Sequence, residues 1–272
     1  MKKIFAGVVV LVLFMAISQV SAKPNFSSAR LSTPGTNRML VLPISADNSP
    51  VISLGSAVDP GTGKLVEGYA IIHYRNGVAK PSKAGGGRTA CYGFLASGAK
   101  WKALEPWIVN ASNSRGLSGD FVFANLGENI SKWENAAVFD ILGNGILTLD
   151  VLLADTVAPD NQNEVYFANV SSQGAIAITI VWGIFGGPPS GRELVEWDQV
   201  YDDIDYDWSS VGEVGKMDFE NIATHELGHS VGLGDLYNSG CSEETMYGYA
   251  AFGEIKKRDL NSGDIAGVSK LY

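Results

Sequence analysis

Two histidines and a glutamate stand at the spacing of a metal hydrolase, in the run His225-Glu226-Leu227-Gly228-His229. Residues four apart on a helix lie on the same face, so His225 and His229 can offer ring nitrogens to one metal ion. Glu226 then lies beside that ion without binding it and can accept a proton from a water molecule. The pattern predicts metal-assisted hydrolysis. The alternative is an exposed helix with a solvated polar face.

A catalytic zinc ion usually takes three protein ligands and keeps one position open, so a third ligand is expected. The chain has three histidines, and the remaining one, His73, lies far upstream. Asp235 follows His229 by six residues, and Gly232 between them can adopt the positive φ that ends a helix and reverses the chain. We expect Asp235 to be the third ligand, since a carboxylate is an accepted zinc ligand. Glu254, further along the chain, is the alternative donor.

The run from His225 to Asp235 resembles the metzincin signature H-E-x-x-H-x-x-G-x-x-H, with an aspartate in the last position. The snapalysin-type branch of the metzincins carries aspartate there. Metzincins also have a methionine in a tight turn beneath the metal, and Met246 stands at the corresponding place after Asp235. This resemblance implies a zinc site formed by these residues, with Met246 below it.

Other segments resemble the catalytic domain of the matrixins. Tyr247 follows the methionine as in the matrixin pattern Met-Tyr-Pro-x-Tyr, although Gly248 and Ala250 replace the proline and the last tyrosine. Residues 100–110 are similar to the first strand of that domain, and residues 260–272 to its last helix. The resemblance implies an α+β fold in which a twisted mixed sheet packs against an active-site helix, a second long helix and a C-terminal helix. Tyr247 becomes a substrate-pocket residue by the same resemblance.

The elements that must position these residues can be read from caps and periodicity. Asp218 is expected to cap the helix of the metal motif, running from about residue 219 to 233. Ser118 is expected to cap the second helix, which has an apolar stripe at helical spacing. That stripe consists of Val122, Leu126, Ile130, Trp133 and Ala137. Strands of a central sheet are predicted at residues 146–153, 164–168, 175–182 and 194–200.

The N-terminal third divides into three parts. Residues 1–22 have the basic start, apolar run and small-residue ending of a secretory signal peptide, and an uncleaved N-terminal anchor is the alternative. Residues 23–90 form a β-rich segment, either a propeptide or an accessory module, with a polar lead-in at 25–37, strands at 39–42, 51–54 and 69–74, and a linker at 80–88. His73 is expected to be a packed or surface residue of this segment and not a ligand. The peptidase-like domain then covers residues 91–272.

Cys91 and Cys241 are the two cysteines of the chain. In an exported protein an even pair predicts a disulfide, which would tie the segment after Asp235 to the start of the domain. The alternatives are two free thiols or a cysteine switch, in which a thiolate of the propeptide binds zinc. The sequence around Cys91, Arg-Thr-Ala-Cys-Tyr-Gly, departs from the matrixin switch motif P-R-C-G-x-P-D.

Charge and composition limit the partners. The net charge of −9 disfavours a nucleic-acid partner. We expect the acidic run from Asp202 to Asp207 to be a solvated loop. An EF-hand is excluded because Trp208 stands where its loop needs glycine. A structural calcium ion outside the EF-hand geometry, such as the matrixin resemblance implies, is the alternative there.

The sequence thus predicts a secreted, monomeric zinc endopeptidase that acts on a protein or peptide and has no stable membrane insertion after signal cleavage. One alternative is a gluzincin-type peptidase that uses Glu254. Another is a noncatalytic, zinc-stabilised binding or inhibitory module. Retention of Glu226 disfavours the module, since a purely structural zinc site has four protein ligands and no need of a base.

Overall fold

A mixed sheet carries the strands on which the site is built. The computed structural model describes residues 38–43, 49–77 and 90–272. Within these residues the strands are β1 (Met39–Leu40), β2 (Val51–Val58), β3 (Leu65–Arg75), β4 (Glu105–Asn110), β5 (Leu142–Leu147), β6 (Asn163–Val170), β7 (Ala175–Ile184), β8 (Glu193–Asp202), β9 (Trp208–Ser209), β10 (Met217–Asp218) and β11 (Tyr249–Ala250). The helices are α1 (Gly119–Ala137), α2 (Phe219–Ser230) and α3 (Ser262–Leu271).

The main sheet has the strand order β11-β3-β7-β8-β6-β4-β5, with β1 attached to β6 and β2 attached to β3. Strands β5, β4, β6 and β8 are parallel neighbours, whereas β7 is antiparallel to both β8 and β3. The short strands β9 and β10 form a separate pair. This α+β arrangement, with a mixed sheet and three helices, confirms the predicted fold class.

Both faces of the sheet are covered. On one face α1 and α2 pack over a core that contains Trp133, Leu227 and Trp197. On the other face a second cluster joins alternate residues of β3, β7 and β8, including Ile72, Ile180 and Val200. Strand β7 contributes to both clusters, which explains its nearly continuous apolar sequence.

The caps of the two long helices are those that the sequence predicts. The Ser118 hydroxyl accepts a hydrogen bond from the backbone N–H of Phe121, and the Asp218 carboxylate accepts one from the N–H of Asn221. The predicted apolar stripe of α1 is buried against α2 and the sheet. The indole N–H of Trp133 on α1 donates to the Thr224 carbonyl of α2 at 2.9 Å, which fixes the two helices side by side.

Several predicted element boundaries are wrong, and for two of them the contacts show the reason. The strand predicted at 146–153 is displaced to β5, Leu142–Leu147, because Thr148 and Asp150 form a local side-chain turn that competes with the strand ladder. Leu149 and Leu153 are consequently exposed. Helix α2 ends at Ser230 instead of residue 233, because Gly232 adopts a φ of +102° and its N–H bonds back to the His229 carbonyl.

The strands before residue 78 belong to the main sheet. Strand β3 pairs with β7 from Glu67 opposite Gly183 to Tyr74 opposite Ala175. A side chain at Gly68 would meet the Trp182 ring at 2.6 Å, so the two strands are in close contact there. The described residues all fall within one compact unit.

Three predicted segments lie wholly outside the described residues: the signal peptide at 1–22, the lead-in at 25–37 and the linker at 80–88. Among the residues that are described, no helix combines the length and the apolar character that crossing a membrane requires.

Candidate metal centre and catalytic site

Three side-chain atoms that can bind a metal converge beside α2. Nε2 of His225 lies 3.2 Å from Oδ1 of Asp235, and Nε2 of His229 lies 3.5 Å from the same oxygen. Ligands at the corners of a tetrahedral zinc site with bonds near 2.05 Å stand about 3.3 Å apart. The spacing of these three atoms therefore fits a zinc ion at their centre.

The other ring nitrogens fix the tautomers of both histidines. Nδ1 of His225 lies 2.7 Å from the Thr245 carbonyl, and Nδ1 of His229 lies 2.9 Å from the Leu233 carbonyl. A carbonyl oxygen only accepts, so each Nδ1 carries the proton and each Nε2 lone pair faces the shared centre. Both Nε2 atoms and Oδ1 of Asp235 are buried without a hydrogen-bond partner. Buried polar atoms are rarely left so, and a cation satisfies all three.

The chain reversal at Gly232 brings Asp235 to the histidines. A Cβ at this residue would lie 2.9 Å from the Ala99 carbonyl, so space as well as φ requires glycine there. The second oxygen of Asp235 accepts a hydrogen bond from the Tyr237 hydroxyl at 2.9 Å, which holds the first oxygen toward the centre. The alternative ligand, Glu254, contacts the Asn221 amide at 3.5 Å and is not part of this cluster.

Met246 lies in a turn beneath the metal motif. Its side chain is buried against Gly228 of α2, where an added Cβ would approach the sulfur to 2.1 Å. The backbone N–H groups of Thr245 and Met246 donate to the two carboxylate oxygens of Asp264 at 2.7 and 3.0 Å. The turn is thus anchored to α3, and it carries the Thr245 carbonyl that orients His225.

Tyr247 follows the turn, and its contacts are with residues other than the two histidines of the motif. Its ring packs edge-on against Tyr249 at 5.7 Å, and its carbonyl accepts a hydrogen bond from the Lys257 ammonium. A cavity of about 460 Å³ has Asp235 in its wall and is otherwise lined mainly by apolar residues. Among them are Tyr69, Ile71, Phe94, Val181 and Phe185.

Glu226 is fully buried beside the converging atoms, and both of its carboxylate oxygens have partners. Oε2 accepts a hydrogen bond from the Thr179 hydroxyl at 2.6 Å, and Oε1 lies 3.1 Å from Nδ1 of His73. Burial raises the pKa of Glu226 to about 7, although His229 and the Thr179 hydroxyl oppose the increase. A carboxylate with a pKa near neutrality is suited to general-base chemistry.

His73 is buried, the first of the two positions that the sequence left open, and it contacts the site. Its ring lies 3.9 Å from that of His225 between centroids, and its Nε2 lies 3.3 Å from Nζ of Lys257. Burial lowers the pKa of His73 well below the usual value, so the ring is neutral and its Nε2 can accept from the ammonium. Burial lowers the pKa of Lys257 to about 8, and Glu254 opposes the decrease. Nothing in the local sequence around His73 or Lys257 indicates these contacts.

The two cysteines are joined, as predicted, with a Cα–Cα distance of 5.3 Å. Because both sulfurs are used in this bond, the alternative of a Cys91 thiolate on the metal is wrong for this structure. The bridge ties residue 91 to the segment between Asp235 and Met246.

Carboxylates of the acidic run at residues 202–207 already have partners within the protein. The carboxylates of Asp202 and Asp203 accept hydrogen bonds from backbone N–H groups, and Asp207 pairs with Arg115 at 3.0 Å. Among the described residues, none of the clusters able to hold a metal includes these aspartates. The alternative of a structural calcium ion there stays a hypothesis.

The site is metzincin-like. It has a helix with two histidines that face the metal position, a chain reversal at a glycine, a third ligand and a turn that carries a methionine. Comparison with known proteins then specifies the branch: residues 188–272 match the Matrixin family model. The C-terminal part of the chain is therefore matrixin-like.

Individual relatives agree with this assignment. Metalloendoproteinase 2-MMP of Arabidopsis thaliana is 35% identical over 88 residues, 31% of this chain and 21% of that protein. Metalloendoproteinase 1-MMP of the same plant is 41% identical over 70 residues, 25% of this chain and 18% of that protein. Matrilysin of Rattus norvegicus is 40% identical over 70 residues, 26% of this chain and 25% of that protein. The chain thus spans only 18% to 25% of the length of these relatives.

Proposed function

We propose that this protein is a zinc-dependent endopeptidase in which His225, His229 and Asp235 hold the metal. The observation that carries the proposal is the convergence of three buried, otherwise unsatisfied ligand atoms at the spacing of a tetrahedral zinc site. The similarity to proteins named metalloendoproteinases supports the same activity.

Glu226 is the proposed general base. Zinc, when bound, supplies Lewis-acid chemistry at this site by polarising the substrate carbonyl and acidifying a water molecule. Glu226 takes the proton of that water and later passes it to the leaving amine. The Thr179 hydroxyl holds one oxygen of Glu226 in place, so the other oxygen must face the reacting water once the His73 contact is broken.

The ligand set is tested by the zinc content of purified variants, measured by inductively coupled plasma mass spectrometry. We expect one zinc ion per chain in the parent protein, loss of zinc in Asp235→Ala and retention of zinc in Glu254→Ala. The opposite pattern would support the gluzincin-type alternative. Hydrolysis of a denatured protein, with and without a chelator, separates an enzyme from a noncatalytic module that keeps its zinc.

Export, monomeric state and calcium binding are further parts of the proposal. The signal-like residues 1–22 support secretion, and Edman sequencing or mass spectrometry of the mature protein tests both this cleavage and any removal of residues 23–90. Light scattering in solution tests the monomeric state. A calcium-dependent rise in melting temperature, with zinc held constant, tests a structural calcium ion.

A further inference from the structure

Strand β3 lies in the gap between two strands that border the site. On one side it pairs antiparallel with β7, and β7 carries Thr179, which contacts Glu226. On the other side it pairs antiparallel with β2 from Leu65 to Ile71, and only its end pairs parallel with β11, at Tyr74 opposite Tyr249. Extended peptides commonly bind proteins by adding a strand to a sheet edge. At the end of β3, where β7 and β11 flank it beside the proposed base, the place that an added peptide strand would take is therefore filled by the chain itself.

His73 extends from β3 into the site and blocks it. It is 1% exposed, its ring lies against that of His225, and its Nδ1 lies 3.1 Å from Oε1 of Glu226. Since Nε2 of His73 accepts from Lys257, the proton of the neutral ring is on Nδ1 and is donated to Glu226. With the Thr179 hydroxyl on its other oxygen, Glu226 has both oxygens engaged. In this arrangement it is not free to take a proton from water.

The pocket that holds the His73 ring ends at a buried ammonium. Lys257 is 0% exposed, and its Nζ donates to the carbonyls of Tyr247 and Tyr249. An ammonium has three N–H donors and no acceptor, and the third donor is directed to Nε2 of His73. If the imidazole leaves, that buried donor needs a new acceptor, which an aliphatic side chain cannot supply.

We propose that β3 is a tethered strand in the peptide-binding channel, and that the pocket ending at Lys257 selects substrate side chains that carry a terminal hydrogen-bond acceptor. Glutamine, glutamate and histidine are long enough to reach the ammonium as His73 does. A peptide bound in place of β3 runs antiparallel to β7 and parallel to β11. This inference rests on the proposed peptidase function, because it names the substrate class of the same site.

The test compares the full-length zinc-loaded protein with three variants: His73→Ala, His73→Gln and the control Ser56→Ala in the exposed part of the same hairpin. The probe is an equimolar library of synthetic peptides that differ at one position, with the cut bonds identified by mass spectrometry. We expect His73→Ala to cleave on the order of tenfold faster than the parent or more, because β3 then loses the charge-assisted hydrogen bonds that His73 makes to Glu226 and Lys257. His73→Gln keeps an acceptor and a donor, so its rate stays far below that of His73→Ala.

Selectivity is read from the same library. In the His73→Ala background, cuts should lie beside glutamine, glutamate or histidine, and adding Lys257→Met should shift them to leucine and methionine. If His73→Ala does not fold, as judged by circular dichroism and zinc content, Lys257→Met alone must show both faster cleavage and the apolar shift.

The outcomes separate the two proposals. A rate for His73→Ala equal to or below that of the parent would overturn the tethered strand and make β3 a working part of the site. Cleavage without preference for acceptor side chains would overturn the pocket. No cleavage by any folded variant that holds zinc would instead refute the proposed peptidase function.

Discussion

The contact between Met246 and Gly228 gives a prediction that can be worked from the structure. In Gly228→Ala the new Cβ would lie 2.1 Å from the Met246 sulfur and 2.8 Å from Cζ2 of Trp133. Methionine can move, but Trp133 is fully buried and hydrogen-bonded to the Thr224 carbonyl. Overpacking of a core typically costs about 1–3 kcal/mol, whereas alanine favours a helix over glycine by about 1 kcal/mol. Because two neighbours are overlapped, we expect a net loss of about 2 kcal/mol in the free energy of unfolding.

The assay is a double-mutant cycle with Met246→Ala, measured by urea unfolding in the presence of a chelator so that bound metal does not add to stability. Met246→Ala alone should cost about 2–5 kcal/mol, because it leaves a cavity under α2. In the double variant the new methyl group has space, so the combined loss should be smaller than the sum by about 1 kcal/mol or more. A stabilising Gly228→Ala, or strictly additive effects, would refute the predicted packing of this turn against α2.

Two further predictions concern stability away from the metal ligands. The disulfide closes a loop with a sequence separation of 150, and the chain-entropy model gives it a contribution of about 5 kcal/mol to the free energy of unfolding. The double variant Cys91→Ala/Cys241→Ala should therefore unfold at a much lower urea concentration. A loss of less than about 1 kcal/mol in the free energy of unfolding would contradict this. Burial and the neighbouring Asp198 raise the pKa of Glu196 to about 10. The unfolded chain releases this proton near the ordinary value of 4.5, so stability should fall as pH rises between about 4.5 and 10, at most about 1.4 kcal/mol per pH unit. Glu196→Gln should flatten that slope in urea titrations at several pH values, and an unchanged slope would assign it to other groups.

Local sequence patterns were sufficient for the metal motif. The spacing of His225 and His229 needs only helical geometry, and Gly232 alone supplies the reversal that brings Asp235 to them. The Ser118 cap and the apolar stripe of α1 are likewise short-range features. Each of these depends on residues within a few positions of one another, which is why the sequence predicts them.

The contacts around Glu226 depend instead on long-range register. His73 is 153 residues from Glu226 and 184 from Lys257, and it reaches them only because β3 pairs with β7 in one particular register. A shift of one residue would turn His73 to the opposite face of the sheet. No local pattern sets that pairing, so the sequence predicts only a packed or surface histidine with no role at the site.

The central claim is that Glu226 acts as the base at a zinc site formed by His225, His229 and Asp235. Its most direct test is Glu226→Gln, made in the parent protein and in the His73→Ala background, with zinc content and peptide hydrolysis measured on the same samples. The account predicts unchanged zinc and a fall in hydrolysis on the order of 10²- to 10⁴-fold, the usual contribution of a general base. The role of Glu226 would be contradicted if the variant held a full complement of zinc and its hydrolysis rate fell by less than about tenfold from that of the matching background, because a general base contributes more than that.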